Sequence, residues 1–290
     1  MTEHNPRPEA PVGVHRDVPF GVYTAWDAAS NSALGHLQRS PAHLRAYLEE
    51  PPADTEALAL GRAVHAAILE PELFARSYVR GVDGDGRTKA VKDARAQLAL
   101  DYPRATVLRP AEYDTCIRMR DSVHAHGRAA GMLAGDGACE LSAVWNDPAT
   151  GVRCKARFDR HSIDLPGGVI VDVKTTRDAS RRAFERSIFA FGYHRQAAMY
   201  LEAARVLDVP ARHFVLIAIE KEPPYAVAVY RLTEGAIDAG AEQMRALLAR
   251  YRVCRETGEW PGYPDEVQDI ALPPWAWAQA AEEAEEARAA

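Results

Sequence analysis

Cysteine is scarce in this chain: four in 290 residues, at Cys116, Cys139, Cys154 and Cys254. They lie far apart and form no CxxC pair, which excludes a disulfide framework and reads as reduced thiols in a cytoplasmic protein. No apolar run approaches the ~18 residues that span a bilayer, so no membrane partner is expected. The opening "MTEHNPRPEAPVGVHRDVPF" lacks a charged n-region followed by an apolar stretch, and so does not read as a secretory signal. The chain has no Gly-x-x-x-x-Gly-Lys-[Ser/Thr] loop, which excludes a P-loop ATPase. Excess positive charge is missing too. The formal net charge is −6, a balance that by itself disfavours nucleic acid as a partner.

The distribution of charge points the other way. Residues 151–195 hold ten Lys/Arg against five Asp/Glu, whereas residues 256–290 hold nine acids and one Arg. An acidic tail masks a basic centre, and local fields rather than net charge decide what docks. At 47% hydrophobic the chain has ample apolar content for a sizeable core. The organisation expected is a loose, Pro-containing segment over 1–25, one domain over 26–260, and an acidic tail over 261–290. Within the domain, 26–135 reads as mainly helical and 136–260 as the core.

Helix starts are expected at Ser30 or Asn31, and again at Ser40 with Pro41 in the first turn. "EALALGRAVHAAILEPELF" reads as a helical run ended by Pro71. "VDGDGRTKAVKDARAQLA" reads as a Gly-rich basic loop entering a helix; its "DGDG" lacks the spaced acids and closing Glu of an EF-hand. The period then changes to two. "ELSAVWNDPATGVRCKARFDR" reads as a hairpin turning through Asn146 to Gly151. Its second strand puts Val152, Cys154, Ala156 and Phe158 on one face and Arg153, Lys155, Arg157 and Asp159 on the other, with Asp159 closing the strand. A third strand, "VIVDVKTT", is followed by a helix broken near Gly192, two strands joined through Pro223 and Pro224, and a helix from about Glu234 to Arg255.

"VIVDVKTT" carries an acid and a lysine in a segment otherwise suited to burial. Alternation places Val171 and Val173 on one face and Asp172 and Lys174 on the other. The pair is either an ion pair at a strand edge or a metal-binding acid beside a catalytic lysine. Asp159 on the neighbouring strand favours the second reading, because two acids from adjacent strands can converge on one hard cation. Phosphodiester hydrolysis needs this set: a metal that lowers the pKa of water and offsets phosphate charge, and a cation beside the nucleophile.

Several motifs extend the pattern: "SNSALGHLQRSPAHL", "LGRAVHAAILEPELF", "DGRTK", and then "CKARFD", "VIVDVKTT" and "GYHRQAAMY" in that order. Together they resemble the PD-(D/E)XK nuclease superfamily. Within it the chain looks most like the RecE-type (exonuclease VIII-like) exonucleases of phages and prophages, which share nuclease motifs with RecB. Phe158 stands where the superfamily name has Pro, a position without a chemical role. The resemblance implies an α/β fold: a restriction-endonuclease-like core with a central mixed β-sheet flanked by helices, and an N-terminal helical extension.

Residue by residue, the resemblance makes Asp159 and Asp172 metal-binding acids and Lys174 the lysine that positions the attacking water. His65 would be a metal ligand or a satisfied core histidine, Glu140 an acid for a second metal or a metal-bound water or only a solvated strand-end acid, and the Val173 carbonyl a further ligand. Gln196 would hold Lys174 or the scissile phosphate. Tyr200, one helical turn on, would touch a phosphate or a base, or simply pack. Tyr193 and His194 at the Gly192 break would touch DNA or cap the helix. Thr175 and Thr176 would reach a phosphate oxygen or serve only as β-formers. Arg87, Lys89 and Lys92 would clamp the duplex backbone or form a solvated face, with Arg153, Lys155 and Arg157 as further DNA contacts.

The implied activity is a Mg²⁺-dependent exonuclease, with Mn²⁺ as a substitute, acting on ends of linear double-stranded DNA from the 5′ side. It would leave 3′ tails for a RecT-type annealing protein in recombination, and would work as a ring-like homo-oligomer in a bacterial or phage-infected cell. The close cysteine triplet of the superfamily's iron–sulfur members is missing near the C-terminus, so no such cluster is expected. An endonuclease or single-strand nuclease on the same core, and an inactive DNA-binding or assembly module, are the alternatives.

Overall fold

The computed structural model describes residues 7–51 and 53–289. The N-terminal part comprises β1 (Gly13–His15), α1 (Phe20–Ala25), α2 (Asn31–Arg39), α3 (Pro41–Glu49), α4 (Glu56–Leu69), α5 (Pro71–Ser77), β2 (Tyr78–Arg80), α6 (Lys89–Asp101), β3 (Thr106–Leu108), α7 (Pro110–Ala125) and α8 (Gly127–Leu133). The C-terminal part comprises β4 (Gly137–Asn146), β5 (Arg153–Ser162), β6 (Val169–Thr176), α9 (Arg181–Ala190), α10 (Tyr193–Val206), β7 (His213–Glu220), β8 (Val227–Arg231), α11 (Glu234–Thr257) and α12 (Pro274–Ala289).

The main sheet has six strands in the order β1-β4-β5-β6-β7-β8. β6 and β7 are parallel, joined by the α9–α10 crossover, and the other neighbours are antiparallel. The sheet is therefore mixed, as expected. One apolar layer packs α2, α10 and α11 against Cys154, Ala156, Phe158, Ile170, Phe214 and Leu216. The other packs α4, α7 and α8 against Val169, Val171, Val173, Val215, Ile217 and Ile219. β6 and β7 are thus covered on both faces, which is why their sequences run apolar almost without interruption.

Local signals account for most helix boundaries. The Ser30 side chain accepts from the Ala33 N–H and that of Ser40 from the His43 N–H, so α2 and α3 begin at the expected caps. Pro71 ends α4 as read, but it also opens α5, because proline is compatible with the first helical turn. Gly192, in the left-handed conformation at φ 67°, separates α9 from α10.

Two expectations fail. Asp159 does not close its strand, since β5 continues to Ser162 in register with Gly137. The segment over 1–25 is not loose throughout: residues 1–6 lie outside the described residues, but β1 pairs with β4 and α1 follows it. Ala10, Trp26 and Ala28 then bury against Val144 on the outer face of the sheet.

Candidate active site

The site forms where the regular ladder fails. Strands β5 and β6 pair only from Arg160–Val171 to Ser162–Val169 and then part. Asp159 bridges the gap: its Oδ2 accepts the Val173 N–H at 2.8 Å. In β4 the matching irregularity is Glu140, which has φ 50° although it is not glycine. Leu141 and Phe158 pack in the α10-side layer, while Cys139 belongs to the opposite layer and Arg160, its partner, donates to the Ala134 and Gly135 carbonyls. Side-chain alternation therefore reverses at Glu140 and Asp159. Strained backbone of this kind persists only where surrounding structure over-determines it, and it clusters at functional sites.

His65 on α4 completes a group. One donor atom each from His65, Glu140 and Asp159 lie within 4.8 Å of one another. His65 Nδ1 is 3.4 Å from Asp159 Oδ2. Glu140 is steadied by Arg157, whose Nε donates to its Oε2 and whose guanidinium also donates to the Val18 carbonyl at 2.9 Å.

Asp172 is close by but turned elsewhere. It is 1% exposed, its Oδ1 accepts from Gln196 Nε2 at 2.7 Å, and its Oδ2 meets Lys174 Nζ at 2.5 Å. That contact is an ion pair with poor hydrogen-bond geometry, and Oδ2 otherwise has no hydrogen-bond partner among the described residues. The Lys174 ammonium also lies 4.7 Å from the centre of the Tyr193 ring.

The electrostatics follow. Burial, then the neighbouring carboxylates Asp172 and Glu140, push Asp159 well above the usual aspartate range. Burial opposes the charge on Lys174, but Asp172 and Asp159 more than offset it and hold the lysine above its ordinary value. His65 is pushed down, first by burial and then by Lys174, so its ring is neutral near pH 7, the form that binds metal. Crowded carboxylates, a neutral imidazole and an orphaned buried oxygen fit a divalent cation, which would relieve the repulsion raising Asp159. Carboxylates suit Mg²⁺ and Mn²⁺, and the imidazole adds a ligand that Mn²⁺ tolerates well. Val173 sits in the same group: its N–H is on Asp159, and a backbone contact from it favours the protonated form of His65.

The family comparison agrees with this geometry. The profile of the "PDDEXK-like domain of unknown function" family (DUF3799) matches residues 30–272. The chain belongs to this family. A solved structure of a candidate exonuclease from Eubacterium rectale aligns with 85% of this chain and 91% of its own, at TM-score 0.56 and 14% identity, a likeness of fold. A second solved structure, SSO0001, aligns with 65% of this chain and 86% of its own at TM-score 0.27 and 16% identity, too low to argue from. No curated protein matches. Asp159 stands on β5 and Asp172 and Lys174 on β6, neighbouring central strands of the sheet.

Other expected site residues lie elsewhere in this PDDEXK-like domain. Gln196 holds Asp172 rather than Lys174. Tyr200 is 8% exposed and packs against Phe158 and Phe214 with centroids 5.2 and 5.9 Å away, so it is a core residue and cannot stack on a base. Lys155 is 4% exposed and donates to the carbonyls of Tyr23, Thr24 and Trp26 at 2.8, 3.1 and 2.8 Å. Burial pushes its pKa down to about 8, while the three carbonyls hold its proton. Arg153 donates to Asn146 and to the Ala10 carbonyl. The basic face read for DNA on β5 is therefore occupied by the chain's own N-terminal segment, because nothing in a two-residue period says what covers the face.

His194 is buried with Nδ1 3.2 Å from the Ile188 carbonyl, which leaves Tyr193 as the residue of that pair beside the site. Thr175 and Thr176 are half-buried at the end of β6, and the Thr176 hydroxyl donates to the Asp178 carbonyl at 3.1 Å. Arg87, Lys89 and Lys92 are exposed at the start of α6, which buries no residue, and none of them belongs to the group of His65, Glu140 and Asp159. Sequence reading passed over α9, whose exposed Arg182, Arg186 and Phe189 share a helical spacing visible in "RRAFERSIF".

Proposed function

We propose that the protein is a metal-dependent deoxyribonuclease that hydrolyses linear double-stranded DNA as an exonuclease, from 5′ toward 3′. The observation that carries the hydrolytic part is the meeting of His65, Glu140 and Asp159 within 4.8 Å beside the Lys174–Asp172 pair. A divalent cation held there, Mg²⁺ or Mn²⁺, would supply an activated water and offset phosphate charge. Asp159 and Glu140 would contribute carboxylate oxygens to that cation, and His65 would contribute a ring nitrogen. Lys174, kept protonated by Asp172, offers its ammonium to a phosphate oxygen or to the attacking water. Gln196 fixes the Asp172 carboxylate from behind, which in turn fixes Lys174.

The exonuclease mode draws on the motif resemblance and on the fold shared with the Eubacterium rectale protein. The 5′ polarity, 3′ tails for a RecT-type annealing partner, and a ring-like homo-oligomer around the duplex draw on the motif resemblance. A cytoplasmic site of action fits the free cysteines; no helix of the described residues is long and apolar enough to cross a membrane. The test is digestion of duplexes labelled at the 5′ or 3′ end, with and without Mg²⁺ or Mn²⁺, beside a closed plasmid and a single strand. Release from the 5′ end supports the proposal. Nicking of the plasmid assigns an endonuclease, loss of the single strand alone assigns a single-strand nuclease, and no cleavage with either metal assigns an inactive binding module.

A further inference from the structure

Helix α9 and the corner after it carry side chains that the catalytic group leaves unused. Phe189 is 77% exposed and Phe191 65%. Each is backed by an inner ring: Phe189 stacks on His194 with centroids 5.9 Å and planes 13° apart, and Phe191 on Tyr193 at 5.7 Å and 29°. The inner rings are themselves fixed, His194 by burial and Tyr193 by its place under the Lys174 ammonium, 4.7 Å away. Two exposed phenyl rings are thus each backed by an inner ring, and that of Phe191 is linked through Tyr193 to Lys174.

Charge says what those rings fit. Arg182 and Arg186 are exposed and enter no ion pair among the described residues, whereas Arg181 is paired with Glu185 at 2.9 Å. Arg182, Arg186 and Phe189 stand at i, i+4 and i+7 and so share one face of α9. A face that alternates guanidinium and aromatic groups matches a strand that alternates phosphates and bases. A protein partner with an acidic, apolar surface would use the same groups, but it would not require one of the rings to be linked through Tyr193 to Lys174.

We propose that the α9–α10 corner is a stacking platform for unpaired nucleobases of the DNA strand being cleaved, with Phe189 and Phe191 as the stacking surfaces and Arg182 and Arg186 on its phosphates. Bases inside a duplex have both faces occupied, and the terminal pair offers one outer face, so both rings together can be filled only by a strand that has left its partner. Use of both rings therefore implies that the duplex end frays at the site, with the base nearer the scissile phosphate on Phe191, the ring linked through Tyr193 to Lys174. The choice of the cleaved strand rests on the nuclease reading; the binding of unpaired bases does not.

The experiment binds a single-stranded oligonucleotide carrying 2-aminopurine near its 5′ end to the full chain in Ca²⁺, reading fluorescence and affinity together. Stacking on the wild type should quench the probe. Phe191→Ala and Phe189→Ala should each weaken binding roughly 10-fold and relieve the quench, and Phe191→Tyr should restore both. Arg182→Ala with Arg186→Ala should flatten the dependence of log K on log salt by about 1.4 units on a single strand. With an abasic site in place of the probe base, wild type and Phe191→Ala should bind alike. Full quenching and unchanged affinity in the Phe189→Ala, Phe191→Ala double variant would overturn the platform. So would loss of self-association in sedimentation by that variant with nucleotide affinity intact, which would assign the rings to contacts between copies of the chain. Cleavage of labelled duplex by the wild type, measured in parallel, keeps the two readings apart. Ring-dependent quenching without cleavage retires the nuclease and keeps the platform, and cleavage without ring-dependent binding does the reverse.

Discussion

The carboxylate of Asp159 accepts the backbone N–H of Val173 at 2.8 Å, across the gap where β5 and β6 separate. One side chain thus replaces a missing ladder bond and faces the metal-ligand group at the same time. Asp159→Asn should separate these duties. The amide keeps an oxygen for the Val173 N–H, so the melting temperature should stay near that of the wild type, while cleavage in Mg²⁺ falls to background. Near-normal cleavage by the folded variant would remove Asp159 from the chemistry.

Lys174 is tied to Asp172 Oδ2, the only buried carboxylate oxygen without a hydrogen bond among the described residues. Lys174→Ala should lose roughly 10²- to 10³-fold in rate at saturating metal. It should also lose stability without metal, by about 3–5 kcal/mol, because a buried carboxylate is left without its partner. Added Mn²⁺ should recover part of that loss, read as a rise in melting temperature larger than in the wild type. A variant of unchanged stability and rate would remove the pair from both the chemistry and the stability of the fold.

Gln196 donates to Asp172 Oδ1 and acts through that carboxylate. Gln196→Ala should reduce metal affinity or turnover by about 10- to 100-fold, as the loss of outer hydrogen bonds at metal sites does. Calorimetric titration with Mn²⁺ in the absence of DNA measures this directly. His65→Ala, which removes a ligand, should have the larger effect in the same titration; the opposite order would place His65 outside the ligand set.

Lys155 holds the end of α1 through three carbonyls. Lys155→Met keeps the aliphatic stem and removes the donors. Stability to urea should fall by about 1–3 kcal/mol per carbonyl left dry, less whatever water recovers, with no change in the salt dependence of DNA binding. A change in that salt dependence would restore Lys155 as a DNA contact.

The exposed Arg87 and Lys89 remain proposed clamp residues. Arg87→Ala with Lys89→Ala should flatten the slope of log K against log salt for duplex binding by about 1.8 units, measured in Ca²⁺ to limit turnover. An unchanged slope returns the loop to solvent.

The sheet, and the grouping of its acids and lysine, were legible because they are written in short periods. Alternation in "RCKARFD" placed Cys154, Ala156 and Phe158 inside, the caps at Ser30 and Ser40 were local, and the acids and lysine stood at fixed spacing. Misreadings came from what lies opposite a face. A strand's period cannot say that Tyr23, Thr24 and Trp26 will present carbonyls to Lys155 from more than a hundred residues away. Nor can helical spacing separate a tyrosine over DNA from one facing Phe158, since Gln196 and Tyr200 share a face in both cases. The reversal at Glu140 had no signal at all, because glutamate has no preference for the conformation it adopts there.

The pairing of β1 with β4 bears on where the molecule can be shortened. Motif boundaries invite a start at Trp26, yet such a chain would uncover the hydrogen-bonding edge of β4, an exposed template of the kind that recruits strands from other molecules. It would also strip the Tyr23, Thr24 and Val18 carbonyls from Lys155 and Arg157, leaving cations stranded on an apolar wall beside Val144. Glu140 would lose orientation with Arg157. The apparently dispensable N-terminal segment is therefore the outer wall against which Glu140, one side of the proposed metal site, is braced, and trimming it would yield a sticky protein with that carboxylate misaligned.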